Sequence, residues 1–183
     1  MNVLPTKLPG VVVVETEPYI DDRGAFARLF CASELSAVVG QRQILQINLS
    51  RTSTVGTVRG LHFQRPPHAE MKLVRCLKGR VLDVAVDLRT GSPAFLRWHA
   101  EELMPGNSRM LVIPEGCAHG FQVLEADSEL LYLHTASHAP DAEAGIRFDD
   151  ERLAIAWPLP AVGLSERDQG LPPLSPNFRG LAV

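Results

Sequence analysis

The sequence predicts an all-β protein, an antiparallel jelly-roll barrel with a few short helices. Three observations support this class. Apolar and polar residues alternate with a period of two along several segments, turn-forming residues recur between these segments, and helical spacing is clear in only one short stretch. Many short strands with little helix are typical of an antiparallel sandwich or barrel. At 183 residues, the chain is long enough to form one domain, 1–183, around a full core.

Local sequence patterns predict strands along most of the chain and one short helix. Residues 11–15 form a β-branched run that predicts a strand, residues 17–24 predict a loop with a turn, and residues 25–30 predict a short strand. Residues 31–39 have the one helical spacing. Period-two alternation or short apolar runs then predict strands over residues 43–50, 80–88, 111–114, 120–124 and 129–135. Residues 136–183 are richer in proline and charge, and we expect them to wrap the barrel with loops and a short helix.

Composition excludes several functional classes. The net charge of −3 gives no general affinity for nucleic acid or acidic membranes. No apolar run approaches the roughly 20 residues of a membrane span, and the first residues do not have the pattern of a signal peptide. The three cysteines are far apart and odd in number, which argues against a disulfide framework and fits a reducing compartment. We therefore expect a cytoplasmic protein that binds neither nucleic acid nor membrane.

The stretch from residue 57 to residue 75 places three polar side chains, Arg59, His62 and Lys72, at strand-like positions among apolar neighbours. Such side chains are costly to bury without a partner, and a ligand-filled cavity would explain them. Polar residues that share one strand face could line the same cavity or could equally face solvent, as in many antiparallel sheets. They are Gln46, Asn48, Ser50, Tyr132 and His134.

Two segments resemble the paired motifs of the cupin superfamily: Gly60-Leu61-His62 with Lys72 and Gly79, and residues 114–119 ending in His119. Metal-binding cupins have a second histidine and a glutamate where this chain has Gln64 and Lys72. An ammonium repels a divalent ion, so we expect a cupin-type barrel whose metal site has been replaced by acid–base chemistry.

Without a metal, three side-chain types in this region suit proton abstraction next to a carbonyl. An imidazole, that of His62, is a natural general base near neutral pH. The ammonium of Lys72 can stabilise an enolate oxygen, and the phenol of Tyr132 can return a proton to carbon. The sequence therefore predicts acid–base chemistry in the barrel.

The resemblance becomes specific when eight motifs are taken in order. They are VRGLHFQ, KLVR, DVAVDLRTGSPAF, IPEGCAHGF, LLYL, GIRFDD, WPLP and LSERD. The chain is similar, over about residues 10–170, to the nucleotide-sugar 3,5-epimerases of the dTDP-4-dehydrorhamnose 3,5-epimerase family. This resemblance implies a cofactor-free homodimer, in which an N-terminal segment reaches the neighbouring site. The implied substrate is dTDP-4-dehydro-6-deoxy-D-glucose, inverted at C3 and C5.

The resemblance also implies roles for individual residues. His62 matches the general base, Asp168 the carboxylate paired with it, Tyr132 the proton donor, and Lys72 the residue beside the C4 oxygen. The other implied substrate contacts lie around the pocket and the nucleotide diphosphate: Arg23, Phe26, Gln46, Asn48, Arg59, His119, Glu143 and Arg167.

Two positions depart from the family pattern. Arg28 occupies a position that is usually a glutamate, and His138 one that is usually a base-stacking tyrosine; we expect both to contact the nucleotide. Three alternatives remain open. They are a mono-epimerase of another nucleotide-linked 4-keto-deoxysugar, a metal-dependent cupin oxygenase or isomerase, and a non-catalytic sugar-binding jelly roll.

Overall fold

A computed structural model describes residues 1–183, which form thirteen strands and two short α-helices. Every pairing between these strands is antiparallel. The strands are β1 Asn2–Pro5, β2 Val12–Glu15, β3 Tyr19–Asp21, β4 Gly24–Phe26, β5 Gln46–Thr52, β6 Val58–Gln64, β7 Lys72–Lys78, β8 Val81–Asp87, β9 Trp98–Leu103, β10 Arg109–Ile113, β11 Cys117–Val123, β12 Ser128–His134 and β13 Glu143–Gly145. The helices are α1 Ser36–Val39 and α2 Glu166–Gln169.

Two sheets pack face to face and enclose the site. The six-stranded sheet has the order β1-β2-β10-β7-β12-β5, and the five-stranded sheet has the order β13-β6-β11-β8-β9. Strands β3 and β4 form a separate hairpin. This architecture confirms the predicted all-β jelly roll. Neither helix is of a length and apolarity that would let it cross a bilayer.

The core has three parts, and two of them bury β8 from its two faces. One cluster fills the space between the sheets, with Val74 from one sheet and Phe121 from the other. A second cluster lies on the outer face of the five-stranded sheet, where Leu153 and Leu174 of the C-terminal segment cover Val84. Burying each such side chain contributes ~1.5–3 kcal/mol, so this covering segment stabilises the sheet substantially.

The third cluster covers the outer face of the six-stranded sheet, where Leu35 and Val39 of the α1 region pack on Leu73. This cover does not reach β5, the edge strand. On β5 the apolar residues Ile47 and Leu49 point outward and are 64% and 53% exposed. The edge strand therefore has an uncovered apolar face.

Local departures from the predicted elements have physical causes. The segment predicted as a loop over residues 17–24 contains β3, and the strand predicted over residues 25–30 ends at Phe26, because this hairpin pairs only with itself. The helix predicted over residues 31–39 contracts to α1, whose N-cap residue Leu35 offers no side-chain cap. Strand β9 was not predicted, because most of its residues are half-buried and show no alternation.

A close approach of β6 and β11 places two histidines side by side. Gly60, at φ +123°, lies against Gly120, and a Cβ at residue 60 would stand 2.6 Å from the Cα of Gly120. A residue with a side chain would therefore separate the strands. The pairing sets His119 opposite His62 in register.

Candidate active site

A cavity of about 490 Å³ lies between the two sheets. Its lining is predominantly polar, and most of the residues predicted to contact substrate contribute to it. These are Gln46, Asn48, Arg59, His62, Lys72, His119, Tyr132, His138 and Glu143. The polar faces of β5 and β12 thus line a cavity instead of meeting solvent. Ser50 and His134 lie on the same wall.

One wall of the cavity carries an imidazole–carboxylate pair. Nε2 of His62, on β6, lies 2.6 Å from Oδ1 of Asp168 on α2. Because a carboxylate only accepts hydrogen bonds, we assign the proton to Nε2, which leaves Nδ1 free to accept another. The backbone N–H of Gly60 donates to the second oxygen of Asp168 at 3.3 Å. The side chain of Ser165 caps α2 by accepting from the backbone N–H of Asp168.

The Asp168 carboxyl is buried but ionised. Burial acts to raise its pKa, yet the hydrogen bonds from His62 and from the Gly60 N–H hold the pKa below its usual range. A carboxylate in this position orients the imidazole and stabilises the imidazolium that forms when His62 accepts a proton.

The opposite wall carries the phenol. Tyr132 lies on β12 of the six-stranded sheet, with its ring edge-on to His119 and stacked on His134, both at 5.9 Å between ring centres. Burial, with the charge of Asp83 adding to it, raises the pKa of Tyr132 far above its usual range. The phenol therefore keeps its proton near neutral pH and is available as a donor.

Between these walls stands an ammonium group. Lys72 begins β7, and its Nζ lies 3.5 Å from the backbone oxygen of His62 and 3.3 Å from Oε1 of Glu70. Nearby, Nε2 of His119 lies 2.7 Å from Oδ1 of Asp83, which is fully buried. A substrate oxygen that becomes negative between the walls would meet the charge of Lys72.

The other end of the cavity is held by contacts among predicted substrate-binding residues. The backbone N–H of His138 donates to Oε1 of Gln46 at 2.6 Å. Glu143 forms an ion pair with Arg167 at 3.0 Å, which brings Arg167 to the rim. Arg59 donates to the backbone oxygen of Arg51 at 3.2 Å.

Three predicted contacts are not brought to the cavity of this chain. Arg23 lies on the β3–β4 hairpin with its side chain 89% exposed and forms an ion pair with Asp21. Phe26, on the same hairpin, is also exposed. Arg28 pairs with Glu34 near the amino terminus. None of the three lines the cavity that the same chain encloses, so their binding to substrate stays a prediction.

Two residues of the cavity have roles that sequence reasoning did not assign. Gln64 holds the rim, because its side chain bonds to the backbone of His68, Ser137 and Ala139. Glu70 lines the cavity two residues before Lys72, and this Glu-x-Lys spacing could have placed both on one strand face. No group of three or more His, Cys, Asp or Glu side chains converges in a way that could hold a metal ion.

Comparisons with known proteins agree over nearly the whole chain. A family model described as dTDP-4-dehydrorhamnose 3,5-epimerase matches residues 5–176. A protein of that name from Escherichia coli (strain K12) is 42% identical over 173 residues, covering 93% of each chain. One from Pseudomonas aeruginosa is 43% identical over 164 residues, covering 88% of this chain and 90% of the other.

Solved structures give the same result. The chain superimposes with a TM-score of 0.89 on a dTDP-6-deoxy-D-glucose-3,5-epimerase from Legionella pneumophila in complex with dTDP-4-keto-L-rhamnose. The two are 39% identical, with 94% of this chain and 92% of that chain covered. A 3′-monoepimerase from Streptomyces bikiniensis in complex with dTDP-quinovose has a TM-score of 0.86 at 30% identity, covering 93% and 86%.

Proposed function

Because this chain belongs to the dTDP-4-dehydrorhamnose 3,5-epimerase family, we propose that it inverts C3 and C5 of dTDP-4-dehydro-6-deoxy-D-glucose to give dTDP-4-dehydro-L-rhamnose. It is an isomerase of the epimerase type. The observation that carries the proposal is the placement of an oriented imidazole and a protonated phenol on opposite walls of one cavity. Inversion at carbon needs this arrangement, because the proton must leave from one face and return to the other.

The residues divide the reaction as follows. The C4 carbonyl acidifies the hydrogens on C3 and C5. Nδ1 of His62 takes one of these protons, the C–H electron pair moves into the enolate, and the negative C4 oxygen is stabilised by Lys72. The phenol of Tyr132 then gives its proton to the same carbon from the other face. Exchange with water returns His62 and Tyr132 to their starting states, and a second round treats the other carbon.

The nucleotide end supports a dimeric assembly. Large apolar side chains are exposed together on the hairpin and the edge strand, including Ile20, Phe26 and Ile47 at 74%, 75% and 64%. We infer that two copies associate through these surfaces and that each hairpin carries Arg23 and Phe26 to the neighbouring cavity. The three thiols are unpaired, which fits the reducing cytoplasm that we infer as the site of the reaction.

The test is deuterium incorporation from solvent into dTDP-4-dehydro-6-deoxy-D-glucose, followed by NMR at C3 and C5. We expect exchange and inversion at both carbons, and exchange at neither would refute the proposal. Exchange at one carbon alone would identify a mono-epimerase, the activity named for the Streptomyces bikiniensis relative. Stoichiometric metal with activity lost on chelation would identify a metal enzyme. Binding without turnover, unchanged in His62→Asn, would identify a sugar-binding protein.

A further inference from the structure

A third imidazole–carboxylate pair lies at the cavity, on the side of the phenol. Oε2 of Glu70 is 2.8 Å from Nδ1 of His134, and Oε1 of the same carboxylate is 3.3 Å from Nζ of Lys72. The side chains of Glu70, Lys72 and His134 are 8%, 11% and 15% exposed. Lys72 and His134 also pair in register between β7 and β12, so one carboxylate bridges two adjacent strands.

The bridging carboxylate is charged. Burial acts to raise the pKa of Glu70, but the hydrogen bond from His134 and the charge of Lys72 outweigh burial and hold the pKa below its usual value. Each of its oxygens already has a partner within the chain. Both oxygens of Glu70 therefore hold groups of the same chain, through which the carboxylate can act on the substrate.

Each partner gains something specific from this bridge. The side chain of Lys72 has a flexible four-carbon stem. Apart from Glu70, its ammonium contacts the backbone oxygen of His62, at the long distance of 3.5 Å. Glu70 therefore restricts where that charge can stand. Fixing Nδ1 of His134 also holds its ring parallel to Tyr132, at an interplanar angle of 16°.

We propose that Glu70 is a positioning residue for epimerisation, which holds the Lys72 ammonium at the C4 oxygen and the His134 ring against the proton donor Tyr132. This inference rests on the proposed function, because it assigns Lys72 and Tyr132 their roles in that reaction. The Lys72 ammonium has three N–H donors, so it can contact Glu70 and still donate to the enolate oxygen. Displacement of a charge by about 1 Å can cost ~10²-fold in rate.

The variant Glu70→Gln keeps the shape of the side chain and removes its charge. We expect kcat for epimerisation to fall by about 10–100-fold. KM should change by less than about threefold, because the charge on the C4 oxygen develops only in the transition state. The dissociation constant for dTDP should also change by less than about threefold, because dTDP lacks the C4 carbonyl. A purely structural role would instead reduce the number of dTDP sites and the melting temperature and leave kcat per site unchanged. Rates are therefore expressed per dTDP site measured by calorimetry.

Two further variants sharpen the test. Glu102→Gln is the matched control, because Glu102, on β9, forms an exposed ion pair with Arg80. We expect kcat within about twofold of wild type for this variant. His134→Phe retains an aromatic ring against Tyr132 and removes the nitrogen that binds Glu70, and we expect kcat to fall about 3–10-fold.

The outcomes separate the two proposals. If the wild-type protein exchanges deuterium at neither carbon, the proposed function fails. If the wild type exchanges normally and Glu70→Gln has an unchanged kcat per site, only the positioning role fails. Should Glu70→Gln lose its dTDP sites by misfolding, His134→Phe decides, and an unchanged kcat in that variant overturns the positioning role.

Discussion

The two ends of the cavity are completed in different ways. At the reaction end, the His62 imidazole, the Lys72 ammonium and the Tyr132 phenol are at least partly buried, and each is held by another group of the same chain. At the nucleotide end, predicted contacts such as Arg23 and Phe26 lie on an exposed hairpin outside the sheets. The difference teaches that one chain already arranges the groups of the proposed chemistry, whereas the nucleotide contacts predicted on the hairpin would have to come from the second copy that we propose.

The largest effect is expected for the base. His62→Asn removes the group that accepts the proton, and we expect a loss in kcat toward the upper end of the ~10²–10⁴-fold range of general-base catalysis. Deuterium exchange at C3 and C5 measures it. The matched control is His68→Asn, an exposed histidine, for which we expect a rate within about twofold of wild type. Equal losses in kcat in both variants would show that His62 is not the general base.

Removal of the phenol should separate exchange from inversion. In Tyr132→Phe, His62 can still take a proton and return it to the same face, so deuterium enters the substrate without a change of configuration. We expect inversion to fall by about 10²–10⁴-fold and exchange to fall less. NMR of the recovered sugar distinguishes the two. Inversion at the wild-type rate would show that Tyr132 is not the proton donor.

The nucleotide end should respond to disruption of the dimer. Ile47→Lys places a charge on the uncovered face of β5, and we expect a monomer in analytical ultracentrifugation with dTDP affinity weakened about tenfold, or ~1.4 kcal/mol. Val183→Lys, on an exposed residue near the carboxyl terminus, is the control and should remain dimeric. A monomeric Ile47→Lys protein with unchanged dTDP affinity would contradict the shared site.

The smallest effect concerns stability and pH. Because the pKa of Asp168 is lowered in the folded state, its contribution is present above the unfolded pKa near 4 and is lost as pH falls through the folded value. We expect Asp168→Asn to melt a few degrees below wild type at pH 7, with the gap narrowing as the pH falls below about 4. Asp149→Asn, which removes one partner of a surface ion pair, should shift melting less. A difference in melting temperature that does not change with pH would contradict a lowered pKa for Asp168 in the folded state.

Much of the fold could be predicted, because period two is a local signal. The alternation in β8 is visible in any short window, and both of its faces prove to be buried. On β5 the same signal was ambiguous, since the polar side lines the cavity and the apolar side points outward. The pattern of hydrophobicity does not distinguish a polar cavity from solvent. Only the structure could therefore show which face of β5 points into the barrel.

The site was predictable where chemistry is unusual and not where it is ordinary. A histidine and a lysine among core strands stand out, as His62 and Lys72 did. Asp168 lies 106 residues from its partner, and no local pattern connects them; the resemblance to a family supplied that pair. Glu70 precedes its strand as a single charged residue, which is common on any surface, so its two-residue spacing from Lys72 was the one signal that could have placed it in the cavity.

One consequence of pairing His62 with Asp168 is that a single segment serves two ends. Its residues Leu153 and Leu174 cover the outer face of the five-stranded sheet, and Asp168 lies between them in the chain. In the reaction that we propose, a substitution that loosens this segment would therefore lower the rate as well as the stability.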